Sequence, residues 1–519
     1  MKKRYTVRQY IERLRDEWLL SGCDVSEADM EREICYLSYD SGDVEPGTLF
    51  VCKGAHFKPE YLAEACRRGA FCCVSETDFR GQDTAGQNGA DGVQSRTDAA
   101  DYGSGAGLIL VKDIRLAMAV LANLFYGEPW RRLKLTGITG TKGKSTTAYF
   151  VRSVLDHYLS RCGKKPSGII SSIETFDGVN CFESHLTTPE AMMLARHFSN
   201  AADSGMEYMT MEVSSQALKY HRVKGIQFDV GCFLNIGEDH ISEAEHRDFD
   251  DYFESKLMLF PQCETACVNL DSSHLDEILY AASGCGRIVT FGTKEEAEIY
   301  AHHIGKRDGD TVFTVRTPEF EREFRLGLPG LFNVENALAA IAICSVLNIP
   351  AEDMYEGLLC ARVSGRMEVF SDPKRKITVI VDYAHNRMSF ETLFDSTRRE
   401  YPDCQIFSVF GCPGGKAPGR RQELGETAGR YASKVFITEE DAGEEELAEI
   451  SREIAYHVKA QNCPCVIIDD REEAIRTAIA EAAENTVILL TGKGRETRQK
   501  RGTVYVDCPS DVELVEKYL

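Results

Sequence analysis

One short run has the residue types and order needed to hold phosphate: Gly140-Thr141-Lys142-Gly143-Lys144-Ser145-Thr146. Glycines let backbone N–H groups approach phosphate oxygens, a helix start adds positive potential, and Lys144 supplies a full charge. The Ser145 hydroxyl can be offered to Mg²⁺. Three further positions could gather round the same centre: Glu212, in Met209-Thr-Met-Glu212-Val-Ser214-Ser215-Gln216; His240, closing Phe233-Leu-Asn235-Ile-Gly-Glu-Asp239-His240; and Lys256. Singly, each has an ordinary alternative: a glycine turn, a solvated carboxylate, a core histidine, a surface ammonium. The strict Walker pattern is not met, because Ile138 stands where its first glycine would be. Such a loop implies nucleotide binding only, which a kinase or simple NTPase would share.

The surrounding pattern supplies elements to position these groups. A strand is predicted over Arg132–Thr139, then a helix with Ala148, Val151, Val154, Leu155 and Tyr158 on one face. Glu212 and His240 fall at strand ends, and Lys256 on a helix with Phe253 and Leu257. From Arg132 to about Arg362, strand-like and helix-like segments alternate, as in a parallel-sheet domain. Gly365-Arg366 sits at a joint. A second alternation follows, with strands at Ile377–Val381, Ile406–Phe410, Lys434–Ile437, Cys465–Ile468 and Val487–Leu490. Upstream, strands at Tyr36–Ser38, Thr48–Val51 and Ala70–Val74, with a helix at Tyr61–Arg68, make a small α/β unit. Met1–Leu20 reads as an amphipathic helix, and Asp113–Tyr126 as a helix closed by Gly127-Glu128-Pro129. Residues 79–107 lack periodicity and are expected to form a mobile surface insertion. The expected fold is α/β in three domains: a small N-terminal α/β domain (1–111), a central P-loop-type parallel-sheet domain (112–362) and a C-terminal Rossmann-like domain (363–519).

A chain of 519 residues exceeds one ordinary core. Its net charge of −22 argues against nucleic-acid or anionic-membrane partners. No signal-peptide pattern and no membrane-length apolar run occurs. Nineteen scattered cysteines are expected as reduced, mostly buried thiols in a cytoplasmic protein.

Along nearly its whole length the chain resembles the Mur ligase family, and within it the ligases that add the third residue of the peptidoglycan stem peptide. The motifs are Thr139-Gly-Thr-Lys-Gly-Lys-Ser145, His185-Leu-Thr187-Thr188-Pro189, Glu212-Val-Ser-Ser-Gln216, Asn235 to His240, Gly330-Leu-Phe-Asn333-Val-Glu-Asn336, Gly365-Arg366-Met-Glu368, Asp382-Tyr-Ala-His385 and Gly492-Lys-Gly-Arg-Glu496. The resemblance implies ATP-driven amide formation between a uridine-diphosphate muramoyl dipeptide and a free amino acid, through an acyl phosphate. It implies that Ser145 and Glu212 serve one Mg²⁺ and Glu212 and His240 a second, with Lys256 carbamylated by CO₂. Arg366 would reach the nucleotide from the joint, Asp382 would lie on the ribose side, Asn333 and Asn336 near adenine, and His385 in the same cleft. Helix capping is the alternative for the two asparagines. Thr187, Thr188, Ser214 and Arg222 would meet the dipeptide. Ser41 and His56 belong to the uridine-binding part, where the family's arginine after Asp-Ser is replaced by Gly42.

The departures fall where the amino acid would be chosen. Diaminopimelate-adding relatives carry Asp-Asn-Pro-Arg, whose arginine grips the distal carboxylate; here the segment is Glu440-Asp441-Ala442-Gly443. Bidentate carboxylate recognition cannot be replaced by glycine. Glu440 and Asp441 would suit a cationic side chain such as lysine, unless Glu439–Glu446 is simply a solvated acidic loop. Lys416 stands for the arginine that holds the α-carboxylate. Gly492 and Glu496 remain, Glu496 matching a residue that binds a substrate amine. L-lysine is therefore favoured over diaminopimelate. A paralogue with another amino acid or acceptor, a folylpolyglutamate-type enzyme and a degenerate precursor-binding homologue are the competing readings.

Overall fold

Apolar runs assemble into three large sheets and one two-stranded hairpin, and the helices between the strands cover the sheet faces. The computed structural model describes residues 4–54, 57–79, 105–184, 186–239, 241–242, 245–307, 310–328, 330, 332–415 and 419–519.

The N-terminal sheet has the order Leu20–Asp24, Gly107–Val111, Ala70–Ser75, Thr48–Val51, Tyr36–Ser38, antiparallel only at its first pair. Two expectations need correction. The first helix is Val7–Asp16, because the chain turns back at Trp18, whose φ is 59°, and Leu20 already belongs to a strand. Gly107, expected within the surface insertion, opens a buried strand, since the run Leu108–Val111 pairs on both sides. Of that insertion, Phe79 packs against a buried cluster and Ala106 is buried, while residues 80–104 lie outside the described residues. Helix Ile114–Tyr126 starts where the Asp113 carboxylate accepts the N–H groups of Arg115 and Leu116 at 2.9 Å. Its face packs Ala117, Met118 and Leu121 against Val7, Leu14, Ala191 and Ala195, which fastens the first sheet's core to the central helix Ala191–Asp203.

The central sheet has eleven strands. Its middle is parallel, with Lys134–Thr139 between Tyr208–Glu212 and Phe228–Phe233. The all-parallel expectation fails at both edges. Ile299–Arg307, Asp310–Arg316 and Glu321–Leu326 run antiparallel, as do Glu174–Phe176 and Cys181–Glu183. Their connections are too short for a parallel crossover, so only hairpins can form. Helices Lys144–Arg161 and Asn333–Val346 bury Phe150, Val154, Leu338 and Ile341 in one shared core.

In the C-terminal sheet the order is Glu368–Asp372, Ile377–Asp382, Thr486–Thr491, Gln405–Phe410, Lys434–Ile437, Cys465–Ile467. All five expected strands are present. The antiparallel Glu368–Asp372 and the hairpin Arg498–Arg501 with Val504–Asp507 were not expected. Lys306 of the central hairpin reaches across to Glu400 at 2.7 Å, joining the second and third sheets' units. Among the described residues no helix is long and apolar enough to cross a membrane. All nineteen cysteines are free; fewer are buried than expected, with Cys23, Cys35, Cys162, Cys181 and Cys360 exposed.

Candidate active site

In open α/β sheets ligands collect beyond the carboxyl ends of the strands. Here the ends of Lys134–Thr139, Tyr208–Glu212 and Phe228–Phe233 face those of Ile377–Asp382 and Thr486–Thr491 across one cleft.

The loop after Thr139 turns through Gly140 and Gly143, at φ of 150° and 83°, before helix Lys144–Arg161 begins. A side chain at Gly143 is impossible without rearrangement: its Cβ would lie 2.1 Å from Asn336 Oδ1. Asn235 braces the loop, its Oδ1 accepting the Lys142 N–H at 2.9 Å and its backbone carbonyl the Thr141 N–H at 3.0 Å. Lys144 folds back, donating to the carbonyls of Gly140 at 2.9 Å and Thr141 at 3.1 Å. Lys256 is 1% exposed, not on the surface, and donates to the same Gly140 carbonyl at 2.9 Å. Burial, reinforced by Lys144, holds the Lys256 ammonium well below its ordinary value. Burial also lowers Lys144, and lowers Lys142 to about 8. Such a cluster of cations with depressed charge is suited to receive an anion.

Glu212 is 1% exposed at its strand end. Its Oε1 accepts the Ser172 N–H at 2.8 Å, and among the described residues Oε2 has no hydrogen bond. Ser145 Oγ lies 3.0 Å from Ser172 Oγ. A buried carboxylate with an unanswered oxygen, among hydroxyls and without thiols, fits a hard cation such as Mg²⁺. Ser172 escaped the sequence reading because a serine in a turn carries no local signal. His240 lies outside the described residues.

Asn333 and Asn336 are buried, and Asn336 Nδ2 donates to Asn333 Oδ1 at 3.0 Å. Neither stands at the N-cap: Phe332 does, with no side-chain cap hydrogen bond among the described residues. Capping is thereby set aside.

From the other side, the Arg366 guanidinium lies 4.4 Å from the centre of the Tyr383 ring. Asp382 accepts the N–H groups of Met367 at 2.9 Å and Ala384 at 2.8 Å; burial raises its carboxyl pKa, with Arg366 opposing. His385 donates from Nδ1 to the Tyr383 carbonyl at 2.8 Å. Burial, then Lys142 and Arg420, push it well below its ordinary value, so it is neutral. Asp239 joins the two sides. It pairs with Lys142 of the loop at 3.2 Å and also takes Asn386 and, at 3.7 Å, Arg420 from the C-terminal unit. Asp239, Asn386 and Arg420 were absent from the expected site because their meeting depends on the packing of two units.

Thr188, Ser214 and Arg222 are brought together beside Glu212. Thr188 Oγ1 donates to the Glu212 carbonyl at 2.9 Å and accepts the Ser214 N–H at 3.0 Å. Ser214 also caps helix Ser215–Lys219, and Arg222 donates to the Thr188 carbonyl at 3.0 Å. Thr187 is half-buried next to them. Glu190 pairs with Arg222 at 2.9 Å and with Lys53 of the N-terminal unit at 2.5 Å. Ser41 donates to Glu64 at 2.9 Å, and Arg68 reaches the carbonyl of Gly42 at 3.0 Å, bringing a guanidinium to the position where the sequence lacks one. His56 is outside the described residues.

The acidic segment is solvated only in its second half, where Glu444 and Glu446 are exposed. Glu439 and Glu440 are each 7% exposed: Arg501 of the hairpin pairs with Glu439 at 2.5 Å, and Glu440 packs against Gly411 and Gly492. Gly492 sits at φ of 98°, and a Cβ there would lie 2.1 Å from Glu440 Oε2. Burial pushes the Glu440 carboxyl up to about 7, with Arg471, Arg420 and Lys493 opposing and Glu496 adding to the rise. Glu496 accepts from Tyr383 OH at 2.6 Å and pairs with Lys493 at 2.8 Å. Asp441 takes Lys493 at 3.2 Å and the Lys500 N–H at 2.9 Å, so it shares that lysine with Glu496. Lys416 lies outside the described residues.

The Mur ligase middle domain matches residues 138–344, and the Mur ligase glutamate ligase domain matches residues 365–494. A relative from Enterococcus faecalis, named UDP-N-acetylmuramoyl-L-alanyl-D-glutamate--L-lysine ligase, is 36% identical over 499 residues, covering 94% of this chain and 92% of its own. Another, the UDP-N-acetylmuramyl-tripeptide synthetase of Lactobacillus delbrueckii subsp. bulgaricus, is 34% identical and covers 92% of each chain. Among solved structures, a UDP-N-acetylmuramoyl-L-alanyl-D-glutamate--2,6-diaminopimelate ligase shares the fold at a TM-score of 0.63 and 21% identity, over 95% of this chain and 96% of that one. With identity of this order over more than nine-tenths of both chains, and the two domain models matching residues 138–344 and 365–494, the chain belongs to the Mur ligase family.

Proposed function

We propose that this chain is an ATP-dependent amide ligase that joins L-lysine to the D-glutamate of UDP-N-acetylmuramoyl-L-alanyl-D-glutamate. The observation that carries the reading is a single cleft with a phosphate loop on one wall and, on the other, the buried carboxylate Glu440 beside the half-buried Glu496. Relatives named as L-lysine ligases support the choice of amino acid.

The acceptor's carboxylate oxygen attacks the γ-phosphorus of ATP, the bond to the β-phosphate oxygen breaks, and ADP leaves. The amino acid's α-amine then attacks the acyl carbonyl, phosphate departs with the bonding electrons, and the amine loses a proton. Positioning and charge neutralisation dominate such transfers. Gly140 to Thr146 cradle phosphate, with Lys144 on the transferred group and Arg366 approaching from the C-terminal unit. Asn333, Asn336, Asp382 and His385 hold the nucleoside end. Ser145, Glu212, His240 and a carbamylated Lys256 would hold Mg²⁺, which neutralises phosphate charge when bound. Thr187, Thr188, Ser214 and Arg222 orient the dipeptide, and Ser41 and His56 face the uridine end. The division of labour follows residues 1–111, 112–362 and 363–519. A reaction consuming ATP and a nucleotide-linked precursor places the chain in the cytoplasm.

Phosphate release, measured with ATP, Mg²⁺ and the muramoyl dipeptide nucleotide across a panel of amino acids, tests this directly. Release driven by L-lysine and not by diaminopimelate is the expected result; efficient release with diaminopimelate, or none with any amino acid, refutes it. A pH series adds a second check. Glu440 is ionised only above about 7, so KM for L-lysine should fall roughly tenfold from pH 6 to pH 8. Glu440→Gln should raise KM and flatten that dependence. Because folding raises this carboxyl's pKa, its contribution to stability is greatest in acid and is lost as pH rises through about 7. A KM independent of pH in the unaltered chain would remove Glu440 from the pocket.

A further inference from the structure

Two adjacent arginines open the helix Gly419–Tyr431, and the fold treats them differently. Arg421 is tied down, to Glu445 at 2.6 Å and Glu453 at 2.9 Å, and braces this helix on the next one. The Arg420 side chain is only 13% exposed, yet among the described residues its guanidinium makes no hydrogen bond. Its one ion pair, with Asp239, is 3.7 Å long, beyond hydrogen-bond reach. Five fixed donors, largely shielded from water and unanswered among the described residues, form a receptor for a planar anion.

The neighbours say which anion. Arg420 is close enough to Glu440 to oppose its protonation, and close enough to Lys142 and His385 to weaken their positive charge. It therefore stands between the acidic pocket and the phosphate loop. In the ligase reading phosphate already has Lys144 and Arg366 to receive it, which leaves the carboxylate of the incoming amino acid as the planar anion still in need of a cation.

We infer that Arg420 grips the α-carboxylate of the incoming amino acid while Glu440 and Glu496 take its side-chain ammonium. This rests on the ligase reading above. Held at both ends, the substrate has only its α-amine left free, directed at the acyl group. The role falls to Arg420 in place of Lys416, whose ammonium offers a point charge without the two-pronged edge that matches a carboxylate.

The test compares kcat/KM for L-lysine with that for L-lysinamide, which lacks the carboxylate, in the unaltered chain, Arg420→Gln, Arg420→Lys and Lys416→Ala. ATP binding by calorimetry confirms that each variant is folded. The unaltered chain should prefer L-lysine. Arg420→Gln should shrink that preference roughly 10- to 100-fold, mainly through KM for L-lysine, with KM for ATP unchanged; Arg420→Lys should fall between. An unchanged preference in Arg420→Gln, or a collapse in Lys416→Ala instead, overturns the assignment. No release from the unaltered chain with any amino acid overturns the ligase reading, and this assignment with it.

Discussion

Glutamine in place of Glu212 is expected to cut amino-acid-dependent phosphate release by about 10²- to 10³-fold while the fold survives. The carboxylate does two jobs that this substitution separates. Oε1 accepts the Ser172 N–H at 2.8 Å, and a glutamine oxygen can do the same, so the turn after Ile170 keeps its brace. What glutamine cannot supply is the negative charge. At 1% exposure that charge is shielded from water, and it faces Lys144 across the loop. Low local dielectric makes its loss costly. Without it the apparent Mg²⁺ requirement should rise steeply, with little change in melting temperature. Unimpaired turnover at ordinary Mg²⁺ would leave Glu212 as a structural brace alone.

Lys256 should be isolated as a carbamate, and Lys256→Met should lose about 10²-fold in phosphate release. A buried lysine ammonium sharing one carbonyl with a second lysine is an unfavourable arrangement, and both burial and Lys144 drive it towards the neutral amine. A neutral amine is a nucleophile. Its nitrogen can attack CO₂, forming an N–C bond and releasing one proton, and the product exchanges a positive charge for a negative one beside Lys144 and Lys142. Native mass spectrometry should find the mass of CO₂ on the unaltered chain, absent in Lys256→Met and lost on acidification. Carbon-13 label from CO₂ should appear at the same lysine. An unmodified lysine in CO₂-replete buffer, with full activity, would sink the idea.

The same positions show how far sequence alone reaches. The phosphate loop was legible because its chemistry is local: glycines, a following helix and Lys144 lie within a few residues, and nearby strands set their direction. The five strands of the C-terminal sheet were legible for a like reason, as apolar runs between helical stretches. Errors arose where one residue's place depends on a distant partner. Leu20 and Gly107 are read as a helix end and a loop until Leu20 is seen paired with Val111 and Gly107 with Cys72. Asn333 and Asn336 have the spacing of caps, yet one side chain turns to the other against Gly143. Glu439 and Glu440 have the composition of a solvated loop until Arg501 of a distant hairpin pairs with the first and Gly411 and Gly492 enclose the second.

The sequence by itself determined the nucleotide-binding element, the order of α/β units and the family, since each rests on short-range pattern. Only the tertiary structure decided which groups share the cleft and with what charge. Asp239 meets Asn386 and Arg420 across two packed units, Ser172 reaches Glu212 from a separate turn, and burial pushes the Glu440 carboxyl up to about 7. Burial and long-range contact set those properties, and neither is encoded in the spacing of residues along the chain.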